Sequence, residues 1–142
     1  MMLPDYWLTR PSVSFDEEVQ KAFDELLDTN LSMGECPTIS FTLPFPKWQF
    51  LCYVADHRNI ALHGSGNPDI ARFEPRQSQD LSGFGNQKAV YAASDGLWAM
   101  FFAVVEHDRV TSITNACVPL ADQTGTFHGP YYVFSVSQSA IP

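Results

Sequence analysis

The stretch NIALHGSGNPDIARFEPR, residues 59–76, decides how this chain is read. An aliphatic run, Ile60-Ala61-Leu62, delivers His63 straight into Gly64-Ser65-Gly66. A short apolar run bounded by turn residues predicts a strand. The imidazole then stands at the strand end, and the glycines bare the backbone beside it. A second strand is predicted over Lys88-Ala89-Val90-Tyr91-Ala92-Ala93. Between the two, residues 64–88 are rich in Gly, Asn, Pro, Gln, Ser and Asp and read as one long loop. A loop of that length inside a domain is usually functional or mobile. If the two strands are neighbours, His63 and Tyr91 flank one cleft. A tyrosine face can stack on a flat ring, and a neutral imidazole can both give and accept a hydrogen bond.

Working outward, Ser14-Phe15-Asp16-Glu17 predicts a capping box, with Ser14 as N-cap and Glu17 at N3. The helix behind it carries Phe15, Val19, Phe23 (or Ala22) and Leu26-Leu27 on one stripe and should stop near Asn30, before Gly34. The prolines of ECPTISFTLPFP, residues 35–46, forbid a central strand or helix interior, so a connector with an extended piece at Thr38–Thr42 is expected. Pro46 suits the first turn of a second helix, in which Trp48, Leu51, Cys52 and Ala55 should be largely buried. Ser94 or Asp95 caps a third, wholly apolar helix, GLWAMFFAVV, residues 96–105. Strands are expected at Val110–Thr114 and Tyr131–Val136. Helices come first and strands later, which predicts an α+β class rather than alternating βαβ units.

The length, 142 residues, suits one domain spanning residues 1–142. A net charge of −8, with only eight Lys and Arg that do not cluster, opposes duplex nucleic-acid binding. It leaves room for a nucleotide held by backbone amides and one arginine. Cys36, Cys52 and Cys117 form no C-x-x-C and cannot all pair, so reduced thiols are expected rather than zinc or a disulfide framework. No signal peptide opens the chain and no apolar run approaches the roughly 20 residues of a membrane span. A cytoplasmic protein is expected, or one exported as an effector without a cleavable signal. His57, His63, His107 and His128 show no paired metal-ligand spacing, Gly64-Ser65-Gly66 is not a nucleophile elbow, and no Gly-Lys-Ser/Thr closes a phosphate loop.

In order and spacing, LHGS (Leu62–Ser65) and AVYAASD (Ala89–Asp95) resemble the first two motifs of the ADP-ribosyltransferase fold family. That family includes a poly(ADP-ribose) polymerase-like branch and bacterial mono-ADP-ribosyltransferases. The likeness covers about residues 58–105, roughly a third of the chain. It implies N-terminal helices followed by a split, twisted, mostly antiparallel sheet, and NAD as substrate. By this resemblance His63 would bond a ribose hydroxyl, and the Gly64 backbone would pair with the nicotinamide carboxamide. Ser65 would support that amide, and Tyr91 would stack on the nicotinamide. Charge and loop position, not a family signature, suggest Arg76 for the pyrophosphate, with Arg72 as second choice. The resemblance also calls for a glutamate on a late strand, where an anion favours the oxocarbenium-like centre. Here that place falls near Pro130 in HGPYYVFSVS, residues 128–137, and the nearest acids are Asp122 and Glu106. Alternatively that stretch is an earlier strand, and the chain stops at Pro142 before the sheet is complete. Two functions are therefore expected to compete: transfer of ADP-ribose from NAD to an unknown acceptor, or an inactive binding and interaction module of the same fold.

Overall fold

The computed structural model describes residues 4–34, 38–78, 80, 83 and 85–137. It is an α+β fold with three helices and two antiparallel sheets. In chain order they are β1 (Leu8–Thr9), α1 (Glu17–Ser32), α2 (Lys47–His57), β2 (Arg76–Gln77), β3 (Lys88–Ala89), α3 (Gly96–Val104), β4 (Ile113–Ala121) and β5 (Phe127–Val136). One sheet has the order β1-β5-β4, and the other is the pair β2-β3.

The helical half is built on the apolar stripe of α1. Its N-cap is Asp16, not Ser14: the Asp16 carboxylate accepts from Val19 N at 2.9 Å. An aspartate two residues on offers the same oxygen chemistry with a full charge at the positive end of the helix dipole, which displaces the expected capping box. Phe23 and Leu27 are buried, Phe23 completely, against Phe50, Tyr53 and Val54 of α2. Phe15, Phe45, Phe50 and Tyr53 each set a ring against Phe23 at 5.4–5.8 Å, and burying rings of that size contributes roughly 1.5–3 kcal/mol each. Trp48 and Leu51 are only half-buried. Cys52, Tyr53, Val54 and Ala55 form the tighter face of α2 instead. Arg58, the C-cap of α2, pairs with Asp24 at 2.6 Å and with Asp28 one helical turn further along α1.

The connector of residues 38–46 forms no strand. Ile39, Phe41, Leu43 and Phe45 nevertheless alternate inward against Thr38, Ser40, Thr42 and Pro44. The backbone is laid out with period two on the helical core, but Pro44 and Pro46 leave no donor for a ladder. After α2, Asn59 takes a positive φ of 51° and turns the chain out of the helix.

The predicted strands at residues 60–62 and 88–93 are mostly consumed elsewhere. Leu62 makes one antiparallel bridge with Ala93, with both N–H···O bonds at 2.8 Å. Lys88–Ala89 pairs with Arg76–Gln77 inside the supposed loop. The strand expected at Val110–Thr114 begins three residues later and runs to Ala121. Its β5 partner contains both Gly129 and Pro130. At Val118/Leu120 the register shifts, so that Pro119 alone stands against Gly129-Pro130. Two residues facing one form a bulge, which accommodates prolines that cannot donate to a ladder. Aromatic rings dock α3 on this sheet: Phe101 stacks on Phe134 at 4.4 Å and Trp98 lies 5.6 Å from the same ring.

The β4–β5 turn is held by one carboxylate. Asp122 accepts from His128 at 2.7 Å, from Thr124 N at 2.8 Å, from Thr124 Oγ1 at 2.6 Å and from Thr126 N at 3.0 Å. The His128 bond first, then those from the threonines, hold its pKa well below the ordinary carboxylate range. A depressed folded-state pKa adds stability that is present above the unfolded value of about 4 and is lost as pH falls through the folded value. Asp122→Asn should therefore melt below wild type at neutral pH, with the gap closing below about pH 4. A gap that stays constant across a pH series of melting curves would show that the carboxylate charge is not what holds the turn.

Candidate functional site

The expected cleft exists as a hollow of about 540 Å³ beside the Leu62–Ala93 bridge. His63, Gly64, Ser65, Arg76 and Tyr91 all line it. Three separate pieces of chain supply them. The Leu62 bridge aims His63 and its glycine turn, the β2–β3 hairpin presents Arg76, and the chain between β3 and Ala93 presents Tyr91.

His63 Nδ1 lies 2.7 Å from the Tyr91 carbonyl oxygen. A carbonyl only accepts, so Nδ1 carries the hydrogen and the neutral ring keeps Nε2 as an acceptor. The imidazole is thus less versatile than the residue type suggests: a ligand group meeting it must bring a hydrogen. Phe73 lies edge-on to the imidazole at 5.0 Å and fixes its tilt. The Tyr91 hydroxyl is likewise committed, donating to Gly85 O and accepting from Gln87 N at 3.1 Å. The phenol is anchored by its tip, and the residue as a whole is 42% exposed and lines the hollow. Ser65 Oγ accepts from Asn67 N at 3.1 Å and keeps its hydroxyl hydrogen to give.

Gly64 plays a different part from the one its sequence context implies. A Cβ there would stand 2.0 Å from Ala99 O and 2.9 Å from Phe102 Cβ, so the turn is pressed against α3. The bare backbone is needed on its inner side for packing. Asp95 N-caps α3 by accepting from Trp98 N at 2.8 Å. Its other oxygen accepts from the buried Tyr132 hydroxyl at 2.6 Å and lies 3.6 Å from Arg10. Helix α2, β5 and the His63 turn each cover part of the apolar helix α3, and Val104 at its end is left exposed.

Electrostatically, Arg10, Arg58, Arg72 and Arg109 each pair with a carboxylate. Arg72 and Arg76 both line the hollow, and Arg76 makes no ion pair among the described residues. Arg72, the second choice, is committed to Glu74 at 2.9 Å. The acids that the hollow does contain are Asp69 and Glu74, which reading the chain for a late-strand carboxylate overlooks. Glu106 pairs with Arg109 at 2.6 Å, and Asp122 holds its own turn. Neither lines the hollow.

Pro130 lines a second hollow of about 390 Å³ with Arg10, Trp48, Cys52 and Asp56. There Arg10 grips Asp56 through both oxygens, at 3.1 and 2.6 Å. Burial pushes the Cys52 thiol up, against a smaller pull from Arg10, so it stays protonated and is no nucleophile. Cys117 is raised in the same way by burial. Cys36 lies outside the described residues. Among the described residues no group of three His, Cys, Asp or Glu is arranged to hold a metal, and no helix is long and apolar enough to cross a membrane. No protein-family profile matches this chain, and no curated protein or solved structure matches it.

Proposed function

We propose that the first hollow binds NAD, and that the protein is an ADP-ribosyltransferase-like protein acting on an acceptor yet to be found. The observation that carries this reading is the meeting around one cavity of Arg76, which has no ion pair among the described residues, an imidazole whose Nδ1 is spent on a carbonyl, and a partly exposed tyrosine. Those groups ask for an anion, a hydroxyl and a flat ring in one molecule. NAD offers all three, and the chain's residues suit it. Arg76 would take the pyrophosphate, His63 Nε2 a ribose hydroxyl and Tyr91 the nicotinamide. The Gly64 backbone and the Ser65 hydroxyl would take the carboxamide. The split, ADP-ribosylation-like sheet belongs to this proposal too; the two small antiparallel sheets are compatible with it and do not require it.

A second reading, a binding module without transferase activity, is favoured by one feature. The start of β5, where the late-strand carboxylate was expected, borders the other hollow. Among the described residues, Asp69 and Glu74, the latter paired with Arg72, are then the acids lining the cavity that could face a developing positive charge.

Titration with NAD decides the first point. Melting temperature should rise with the logarithm of ligand over its dissociation constant. His63→Ala should abolish the rise while melting normally without ligand, because His63 is exposed. No rise at millimolar NAD sinks the proposal. Release of nicotinamide from labelled NAD then separates transferase from module: slow turnover favours the first, clear binding without turnover the second.

A further inference from the structure

We infer that β4 is an association edge, pairing antiparallel with β4 of a second copy of this chain about a two-fold axis at Asn115. The sheet order β1-β5-β4 leaves the outer side of β4 without a strand among the described residues. Which of its backbone groups face outward follows from the register. Ser137 N donates to Ser112 O at 3.0 Å, directly continuing the Ile113↔Val136 pairing. In an antiparallel ladder the residues that exchange hydrogen bonds with one partner alternate with residues whose N–H and C=O point the other way. Ser112, Thr114, Ala116 and Val118 therefore spend their groups on β5. Ile113, Asn115 and Cys117 turn theirs outward. Pro119 occupies the next outward position, where a missing N–H breaks no bond to β5.

The free ladder is thus confined to residues 113–117, and it is self-complementary. A two-fold axis at Asn115 sets Ile113 against Cys117 of the second copy and Asn115 against its own equivalent. An isologous contact of this kind closes on itself and makes a dimer, not a fibre. Charge restricts where a second copy can dock. The chain carries a net charge of −8, so two copies repel over most of their surface. β4, Ile113 to Ala121, contains no charged residue. Strands commonly protect a free edge with charge or proline; here only the proline end of β4 is protected. A ladder this short buries less than a standard interface, so the dimer should form at about 100 μM protein.

The register gives a selective test. Thr114 would face Ala116 of the second copy in a pair that exchanges no bonds across the new interface, with Cα atoms about 4.5 Å apart. That lies within disulfide reach. In a background of Cys36→Ser and Cys117→Ser, Thr114→Cys and Ala116→Cys proteins should cross-link when mixed under mild oxidation. Neither should cross-link alone. Asn115→Pro removes only an outward donor, as Pro119 does naturally, so it should sediment as a monomer at about 100 μM while melting like wild type. Two results would each overturn the inference: a wild-type protein that sediments as a monomer up to about 1 mM, or single-cysteine proteins that cross-link as readily as the mixture. The cross-linking arm stands even if Asn115→Pro folds poorly.

Discussion

Gly64→Ala should lower stability by about 3 kcal/mol or more, and the melting temperature by on the order of 10 °C. The added methyl would lie 2.0 Å from Ala99 O, an atom fixed in the hydrogen-bonded backbone of α3, and 2.9 Å from Phe102 Cβ. Neither neighbour can swing aside as the end of a long side chain can. The helix itself is held on its far side by Phe101 against Phe134 and at its start by Asp95, so relief requires the His63 turn to lift. Gly66→Ala is the control. Its methyl would meet only Val105 O, at 3.7 Å, an ordinary contact, and it should cost far less. Equal melting temperatures for the two variants would show that the turn is not seated on α3. Because His63 is next in the chain, Gly64→Ala should also weaken NAD binding in proportion to its effect on the turn, whereas Gly66→Ala should spare it.

Tyr91→Ala should reduce NAD affinity by roughly 10- to 100-fold, the value of one ring stacked on one base. The corresponding Tyr91→Phe result is the more informative. The hydroxyl gives its single hydrogen to Gly85 O and accepts from Gln87 N, so it has no hydrogen left to donate to a ligand, and the proposed stacking rests on the ring face. Phenylalanine keeps that face and releases the anchor. Affinity should then fall only a few-fold, through a looser ring, an entropic cost of about 1 kcal/mol. If Tyr91→Phe loses as much as Tyr91→Ala, the hydroxyl acts on the ligand directly and the arrangement around Gly85 and Gln87 changes on binding. If neither variant alters the titration, the nicotinamide does not lie on Tyr91.

The helical half was largely legible in the residues. The stripe of Val19, Phe23 and Leu26-Leu27, the start of α2 after Pro46 and the Asp95 cap of α3 are local features, and local forces decide them. The capping box was misread by two residues because Asp16 and Ser14 both carry suitable oxygens, and only the path of the preceding chain chooses between them. Strands fared worse. The strand expected over residues 88–93 is reduced to Lys88–Ala89 and an isolated bridge at Ala93, since an apolar run says nothing of a partner for the backbone. Ile113–Ala121 is a strand with a proline in it, which local propensity argues against. Its edge position and the bulge make that proline harmless, and neither can be seen along the chain.

The gathering of His63, Gly64, Ser65, Arg76 and Tyr91 was legible as a list of residues, because a strand end running into glycine and a tyrosine just before a helix cap are both sequence-local signals. Their hydrogen-bonding roles were not. Which nitrogen of His63 carries hydrogen depends on a carbonyl 28 residues away, and the availability of Arg76 depends on every other arginine having found a carboxylate. By itself the sequence determined the helices, the acidic character and the candidate residues, all set by neighbours within a turn or two. Tertiary structure alone decided the sheet pairing, the seat of Gly64 on α3 and the placing of Pro130 at the second hollow rather than the first. Those rest on contacts between distant residues, whose loop-closure cost is repaid only when the whole core assembles.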